Sequence, residues 1–228
     1  MRKDESVGED MRILCVMAFP LAILLVDFWI LKLWYLEKQE ISGWEKFQEW
    51  KIFFWLSAVL LILLGVRLAW AYPGQAVLFQ CKRMGCMALL AAAAAVDFRQ
   101  KVIPNHLLLS GVAVRVVLLA AELIFEREEI VATILSELLG AVGIFFVCMV
   151  FLLLMKNSIG MGDVKLFMVM GLYLGLYSMM NAIMSSLVIA FISAVILLLA
   201  HRKGKKDSLP FAPAVLAGTY LSIFLTGI

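Results

Sequence analysis

Two aspartates stand at the ends of long apolar runs, where a carboxylate is costly. Asp97 ends the run ALLAAAAAVDF, and Asp163 begins the run DVKLFMVMGLY. Ionisable residues at membrane depth are rare and commonly mark sites of chemistry. Two carboxylates that meet in a low-dielectric site tend to share one proton. Such a pair can hydrolyse a peptide bond, because one carboxylate activates water while the other donates a proton to the carbonyl oxygen or positions it.

The residues around both aspartates suit a close approach. Gly160 and Gly162 lack side chains, and residues 91–95 are all alanine, so another helix or a substrate backbone can pack tightly against either segment. From spacing alone a purely structural interpretation is also open. In that interpretation, Asp163 caps a helix and Asp97 marks a helix end.

The composition predicts a membrane protein with several spans. Of the 228 residues, 64% are hydrophobic and 16% are charged, and the mean hydropathy is +0.99. Soluble domains are about half apolar and a quarter charged, so water would not solvate this much apolar surface. A formal net charge of +3 is too small to indicate a nucleic-acid partner. We expect the lipid bilayer to surround most of the chain.

The apolar runs predict an all-α fold of about eight transmembrane helices, because one crossing needs about 20 apolar residues. The expected spans are 12–36, 52–72, 81–98, 107–125, 130–155, 163–178, 180–200 and 210–227. The sixth and seventh are separated by little more than YSMMN, so one long bent helix is the alternative there.

Several ionisable residues fall within the expected spans. Lys82 and Arg83 open the third span, and we expect them to snorkel or to mark its edge. Arg115 lies nearer to the middle of a span, and we expect a structural ion pair with Glu137 or Asp27.

The distribution of Lys and Arg predicts the orientation, because these residues concentrate in cytoplasmic loops. If the N-terminus lies outside, eleven of the twenty fall in cytoplasmic segments and six in outer segments, with HRKGKK at 201–206 the strongest contribution. Two crossings separate Asp97 from Asp163, which places both on one side. We therefore predict a multi-pass protein of the cytoplasmic membrane, with the N-terminus outside and an active site that faces the cytoplasm.

Three motifs in this order resemble the type IV prepilin peptidases, which are aspartic peptidases of the GxGD type. GMGD at 160–163 matches the GxGD signature, and DFRQKVIPNHL at 97–107 resembles the segment in which Ile-Pro-Asn follows an aspartate. LPFAPAVLAG at 209–218 resembles the Pro-Phe-x-Pro segment that opens the last helix. The resemblance covers about residues 76–228 and implies a six-helix peptidase core there. Residues 1–75 would form an N-terminal extension with two further transmembrane helices.

The resemblance implies an endopeptidase that removes the basic leader of type IV pilin-like prepilins, whose apolar helix follows the leader. Asp97 and Asp163 would be the catalytic pair. Three of the nearby residues also have simpler roles. Pro104 and Pro213 could each start a helix, and Lys165 could be a cytoplasmic anchor. The residues expected to shape the site are Gly160, Gly162, Pro104, Asn105, Lys165, Pro210, Phe211 and Pro213.

The cysteines distinguish this chain from many bacterial members, which carry a cytoplasmic insertion with paired CxxC motifs and also N-methylate the new amino terminus. Here Cys81 and Cys86 are spaced C-x4-C and no CxxC pair occurs, so the sequence does not indicate a zinc site. We expect no metal, no cofactor and no methyltransferase activity. The short members that serve Flp-type tight-adherence pili or process archaeal preflagellins share these features.

Two other functions would use the same residues. A catalytically silent scaffold would need the aspartates only for helix packing, and a proton-coupled transporter would use them as a relay. An internal repeat would favour transport, but the sequence has no such repeat. Presenilins and signal peptide peptidases share GxGD, but they place Tyr before the first aspartate and Pro-Ala-Leu in the later segment. This chain has Val96 and Pro-Phe-Ala-Pro at those places.

Overall fold

The computed structural model describes residues 2–38, 43–128, 130–154, 160–199 and 210–227, with the backbone alone for residues 2–12, 34–38 and 43–50. All secondary structure in these residues is helical, as the sequence predicts. In chain order the seven helices are α1 (Arg2–Lys38), α2 (Gly43–Ala71), α3 (Val77–Gln100), α4 (Asn105–Phe125), α5 (Ile130–Leu154), α6 (Met161–Leu199) and α7 (Ala212–Thr226).

Helices α1 to α6 are each long and apolar enough to cross a membrane, and α7 is a shorter apolar helix of 15 residues. The chain is therefore a multi-pass membrane protein. The expected spans 163–178 and 180–200 lie together in α6, so the described residues form seven helices where the sequence predicts eight. The HRKGKK segment at 201–206 lies outside the described residues.

Helix α3 is the centre of the bundle, and all of its residues from Gln80 to Asp97 are buried. The backbones of α1, α2, α4, α6 and α7 pack closely against it. Gly85 lies against Ile23 of α1 and Tyr173 of α6, since a Cβ there would come within 3.4 Å of the first and 3.3 Å of the second. The two N-terminal helices thus complete the packing around α3.

The prediction that Lys82 and Arg83 would snorkel or mark the edge of the third span is wrong. Both side chains are buried. Lys82 Nζ lies 2.7 Å from Glu137 Oε1 and 3.2 Å from Glu122 Oε1. Arg83 donates a hydrogen bond of 2.6 Å to the Gly227 carbonyl. These partners come from helices that are distant in sequence, so a window along the chain does not reveal them.

The expected ion pair between Arg115 and Glu137 is confirmed. The guanidinium contacts the carboxylates of both Glu122 and Glu137. With Lys82 on the other side of the two glutamates, the cluster contains two acids and two bases. Buried charges are tolerated when they are paired in this way.

The alternative partner of Arg115, Asp27, is engaged elsewhere. It is buried on α1 and accepts a hydrogen bond of 2.8 Å from Ser110 Oγ of α4. This contact joins the N-terminal helices to the rest of the bundle by a polar interaction.

Helix α6 is interrupted at Gly175, whose φ of 70° and ψ of 175° are not helical. We call residues 161–174 the first arm and residues 176–199 the second arm. The first arm packs along α5, where Gly171 lies against Ala141. The second arm packs along α7, where Ser186 lies against the backbone of Gly218.

The two arms run in opposite directions. Phe167 of the first arm packs edge-on against Phe211, with ring centroids 5.7 Å apart, and Ser186 of the second arm donates to the Val215 carbonyl at 3.3 Å. Phe167 and Ser186 would be about 28 Å apart in a straight helix, yet their partners are one turn apart. The chain therefore folds back at Gly175, before the YSMMN segment where the sequence suggests the division.

Candidate active site

Asp97 lies in the last turn of α3, where the ends of four helices meet. After it, Lys101 adopts a left-handed conformation with φ of 53°, and its N–H closes the helix on the Asp97 carbonyl at 3.0 Å. Helices α4, α6 and α7 begin around this point, at Asn105, Met161 and Ala212. Each of the three sequence motifs thus supplies one helix start beside the helix end that carries Asp97.

The start of α7 holds the Asp97 side chain. Ala212 N–H donates a hydrogen bond of 2.8 Å to Asp97 Oδ2, and both residues are buried. The first N–H groups of a helix lack acceptors within the helix, and its amino end favours negative charge. The contact fixes one carboxylate oxygen by a backbone group, and it joins the 97–107 segment to the 209–218 segment.

Asp163 is the third residue of α6, and its carboxylate is close enough to that of Asp97 for the two to interact electrostatically. Close packing explains why both glycines of GMGD lack a side chain. A Cβ at Gly160 would lie 3.1 Å from Asp163 Oδ2, and a Cβ at Gly162 would lie 3.3 Å from Ile103 Cβ. Gly160 therefore leaves room for the second carboxylate, and Gly162 lets the loop before α4 approach.

Other predicted site residues lie around the same helix ends. Lys165 Nζ donates a hydrogen bond of 3.0 Å to Asn105 Oδ1, which ties the start of α6 to the start of α4. Pro104 caps α4 with φ of −67°, a helix-start position that suits proline. Phe211 caps α7 and Pro213 follows within its first turn, while Pro210 directly precedes them. The structure places these residues near the aspartates, and their roles in catalysis stay predictions.

Two groups near the aspartates escape a motif search. Cys148, buried on α5, lies in the neighbourhood of Asp163. It could be found from its position in the chain, because it lies less than two turns before the end of α5, on the side where α6 begins. The Ala212 N–H cannot be recognised from the sequence, since any residue except proline would supply it. Within the described residues, no group of three or more His, Cys, Asp or Glu side chains could hold a metal ion.

Residues 84–199, about half of the chain, match the model of the type IV leader peptidase family. The chain belongs to this family. The match includes Asp97, the Ile-Pro-Asn segment and GMGD, and it ends before the segment at 209–218. The resemblance inferred from the three motifs is therefore confirmed at the level of the family.

One curated relative adds a second comparison. It is named prepilin leader peptidase/N-methyltransferase, from Bacillus subtilis (strain 168), and it is 33% identical to this chain over 136 residues. The alignment covers 60% of this chain and 52% of the relative, so the chain spans about half the length of that protein. No solved structure matches the chain.

Proposed function

We propose that this protein is an aspartic endopeptidase that removes the leader peptide from type IV pilin-like prepilins within the membrane. One observation carries the proposal. Two carboxylates from different helices, Asp97 and Asp163, come within electrostatic reach of each other at the meeting point of four helix ends. Both lie in the part of the chain that matches the leader peptidase family.

In the proposed mechanism the two carboxylates share one proton. The ionised carboxylate takes a proton from water as the water oxygen attacks the scissile carbonyl, and the protonated one gives its proton to the carbonyl oxygen. Collapse of the tetrahedral intermediate breaks the C–N bond, and the leaving amine takes up a proton from the pair. Ala212 N–H would keep Asp97 oriented, and Gly160 would leave room for the carboxylate of Asp163.

We further propose eight crossings, with the N-terminus outside and the aspartates at the cytoplasmic face. The reversal at Gly175 supports two crossings within α6, because its arms of 14 and 24 residues would be about 21 and 36 Å long. The distribution of Lys and Arg supports the orientation. Residues 76–228 would form the peptidase core, and residues 1–75 an extension that covers α3.

The proposed substrate has a basic leader followed by an apolar helix, as in prepilins of Flp-type pili. The absence of paired CxxC motifs from the sequence supports a peptidase that does not methylate its product. The proposed reaction needs water and the two carboxylates, so it requires no cofactor.

The test compares Asp97→Asn and Asp163→Asn with Asp27→Asn, a control at a buried carboxylate that binds Ser110 instead. Each variant is purified in detergent and incubated with a prepilin, and the loss of the leader is followed as a size shift. General acid–base groups contribute about 100-fold to 10,000-fold in rate, so either active-site variant should show no cleavage while the control retains it. Full cleavage by either active-site variant would rule out the mechanism. A folded wild-type protein that binds the prepilin without cutting it would indicate a scaffold.

A further inference from the structure

The break in α6 separates two backbone groups that would pair in a continuous helix. There, Leu176 N–H would donate to the Leu172 carbonyl. Leu176 N–H instead donates to Ser136 Oγ of α5 at 3.2 Å, and the Leu172 carbonyl accepts from Arg115 Nε of α4 at 2.9 Å. Each half of the missing hydrogen bond therefore has a side-chain partner from a neighbouring helix.

The packing at the break leaves little freedom for another arrangement. Gly175 has a positive φ that other residues rarely adopt, and a Cβ there would lie 2.7 Å from Ser136 Oγ. A Cβ at Gly140 of α5 would lie 2.9 Å from the Gly175 carbonyl carbon. Backbone groups without partners are costly at membrane depth, so the two side-chain hydrogen bonds favour the broken helix over a frayed one.

Arg115 is itself held in place. Its guanidinium contacts the carboxylates of Glu122 and Glu137, and Lys82 contacts the opposite oxygens of the same two glutamates. Its Nε donates to the Leu172 carbonyl at 2.9 Å and also to Glu137 Oε2 at 3.2 Å, so the guanidinium that pairs with the glutamates reaches the backbone at the break as well. The ion cluster thus fixes a donor at the end of the first arm of α6.

We propose that Arg115 and Ser136 are positioning residues, which hold the break in α6 and thereby the place of Asp163 opposite Asp97. The part that concerns catalysis rests on the proposed function. Asp163 and Leu172 lie on one helical arm, nine residues or about 14 Å apart, so a displacement at the break reaches the aspartate. Without the two hydrogen bonds, the end of the first arm and the start of the second arm lose their fixed contacts with α4 and α5, so the position of the second arm beside α5 can vary.

Two variants remove the bonds with little change in charge or volume. Ser136→Ala removes the acceptor for Leu176 N–H. Arg115→Lys keeps the positive charge, but a single ammonium group cannot reproduce the fork that reaches both glutamates and the carbonyl. The matched controls are Ser193→Ala, whose hydroxyl bonds only to Ile189 of its own helix at 2.8 Å, and Arg127→Lys. Arg127 is exposed in the turn after α4 and donates its Nε to the Leu123 carbonyl of α4 at 3.2 Å.

The first measurement is structural and does not depend on activity. Spin labels are attached to cysteines introduced at the exposed positions Val142 of α5 and Val188 of the second arm. The exposed Cys15 is replaced by serine so that it takes up no label. Pulsed electron paramagnetic resonance then measures the distance between the two labels. Both variants should lengthen or broaden the distance distribution relative to wild type, and both controls should not. If Arg115→Lys does not fold, Ser136→Ala decides alone.

The second measurement is kinetic, at a temperature well below the unfolding of each variant so that the folded fraction is the same. A misplaced catalytic group lowers the rate of the chemical step by up to about 100-fold, so kcat should fall while KM stays near the wild-type value. Distances and kcat that both match wild type in the two variants would overturn the proposal. If the wild-type protein cleaves no prepilin, the proposed function fails, and the distance measurement still decides whether the two residues hold the break.

Discussion

Replacing Gly171 by alanine should force the first arm of α6 away from α5. A Cβ built at Gly171 would lie 2.6 Å from Ala141 Cα and the same distance from Ala141 N. Both are backbone atoms, which cannot rotate away as the end of a side chain can. Carbon atoms in contact are about 3.5–4.0 Å apart, so the two helices must separate by about 1 Å.

This separation should affect catalysis more than folding. Overpacking of this kind costs about 1–3 kcal/mol, which a stable bundle survives. Asp163 lies eight residues before Gly171 on the same helical arm, so the displacement reaches the carboxylate. A misplacement of about 1 Å can lower the rate about 100-fold. We therefore expect Gly171→Ala to fold and to remove leaders about 100-fold more slowly.

The assay measures initial rates of leader removal against prepilin concentration, together with thermal unfolding in the same detergent. Gly143→Ala on α5 is the matched control, because no atom lies within 4 Å of a Cβ built there. Its rate should equal that of wild type, and its stability should rise by up to about 1 kcal/mol, because alanine favours a helix more than glycine does. A wild-type rate for Gly171→Ala would refute the idea that the α5 contact positions Asp163.

Three further outcomes follow from the structure and the proposed function. Glu137→Leu leaves Lys82 and Arg115 with one carboxylate between them, so thermal unfolding should show a loss of about 3–5 kcal/mol, and an unchanged stability would contradict the importance of this cluster. The product should carry an unmodified amino terminus when S-adenosylmethionine is supplied, and a gain of one methyl mass would reveal a second active site. Ser208→Cys should react with a membrane-impermeant maleimide only after the cells are permeabilised, because the proposed orientation places it in the cytoplasm, and labelling of intact cells would contradict that orientation.

The meeting of the two aspartates was accessible from the sequence because it depends on position along the chain. Asp97 ends one apolar run, Asp163 begins another, and the two runs between them return the chain to the same side. Helix ends follow closely from such runs, since α4 and α5 begin within two residues of the expected spans. The family motifs then supplied the chemistry. The hydrogen bond from Ala212 was not accessible, because a backbone N–H has no signature in residue type.

The place of the break in α6 could not be read from the sequence. Apolar residues flank Gly175 on both sides. The polar residues of YSMMN lie a few positions later, and for this reason the sequence predicts the boundary between the sixth and seventh spans there. Arg115 and Ser136, the two side chains that bond to the backbone at the break, lie 57 and 40 residues away from their backbone partners. The same reason explains the burial of Lys82, whose acidic partners belong to α4 and α5.

The two ends of α7 are matched to two charged residues of α3. Its first N–H, from Ala212, binds the carboxylate of Asp97, and the carbonyl of Gly227 at its other end binds the guanidinium of Arg83. A helix favours an anion at its amino end and a cation at its carboxyl end, so both contacts agree with the direction of α7. Asp97 and Arg83 are fourteen residues apart on α3, and α7 has 15 residues, so this segment of α3 is about as long as the whole of α7, at about 21–23 Å. This match explains why buried charges of opposite sign occur at the two ends of one helix. The two contacts together hold α7 in register along α3. In that register the Ala212 N–H stays within hydrogen-bond distance of the Asp97 carboxylate.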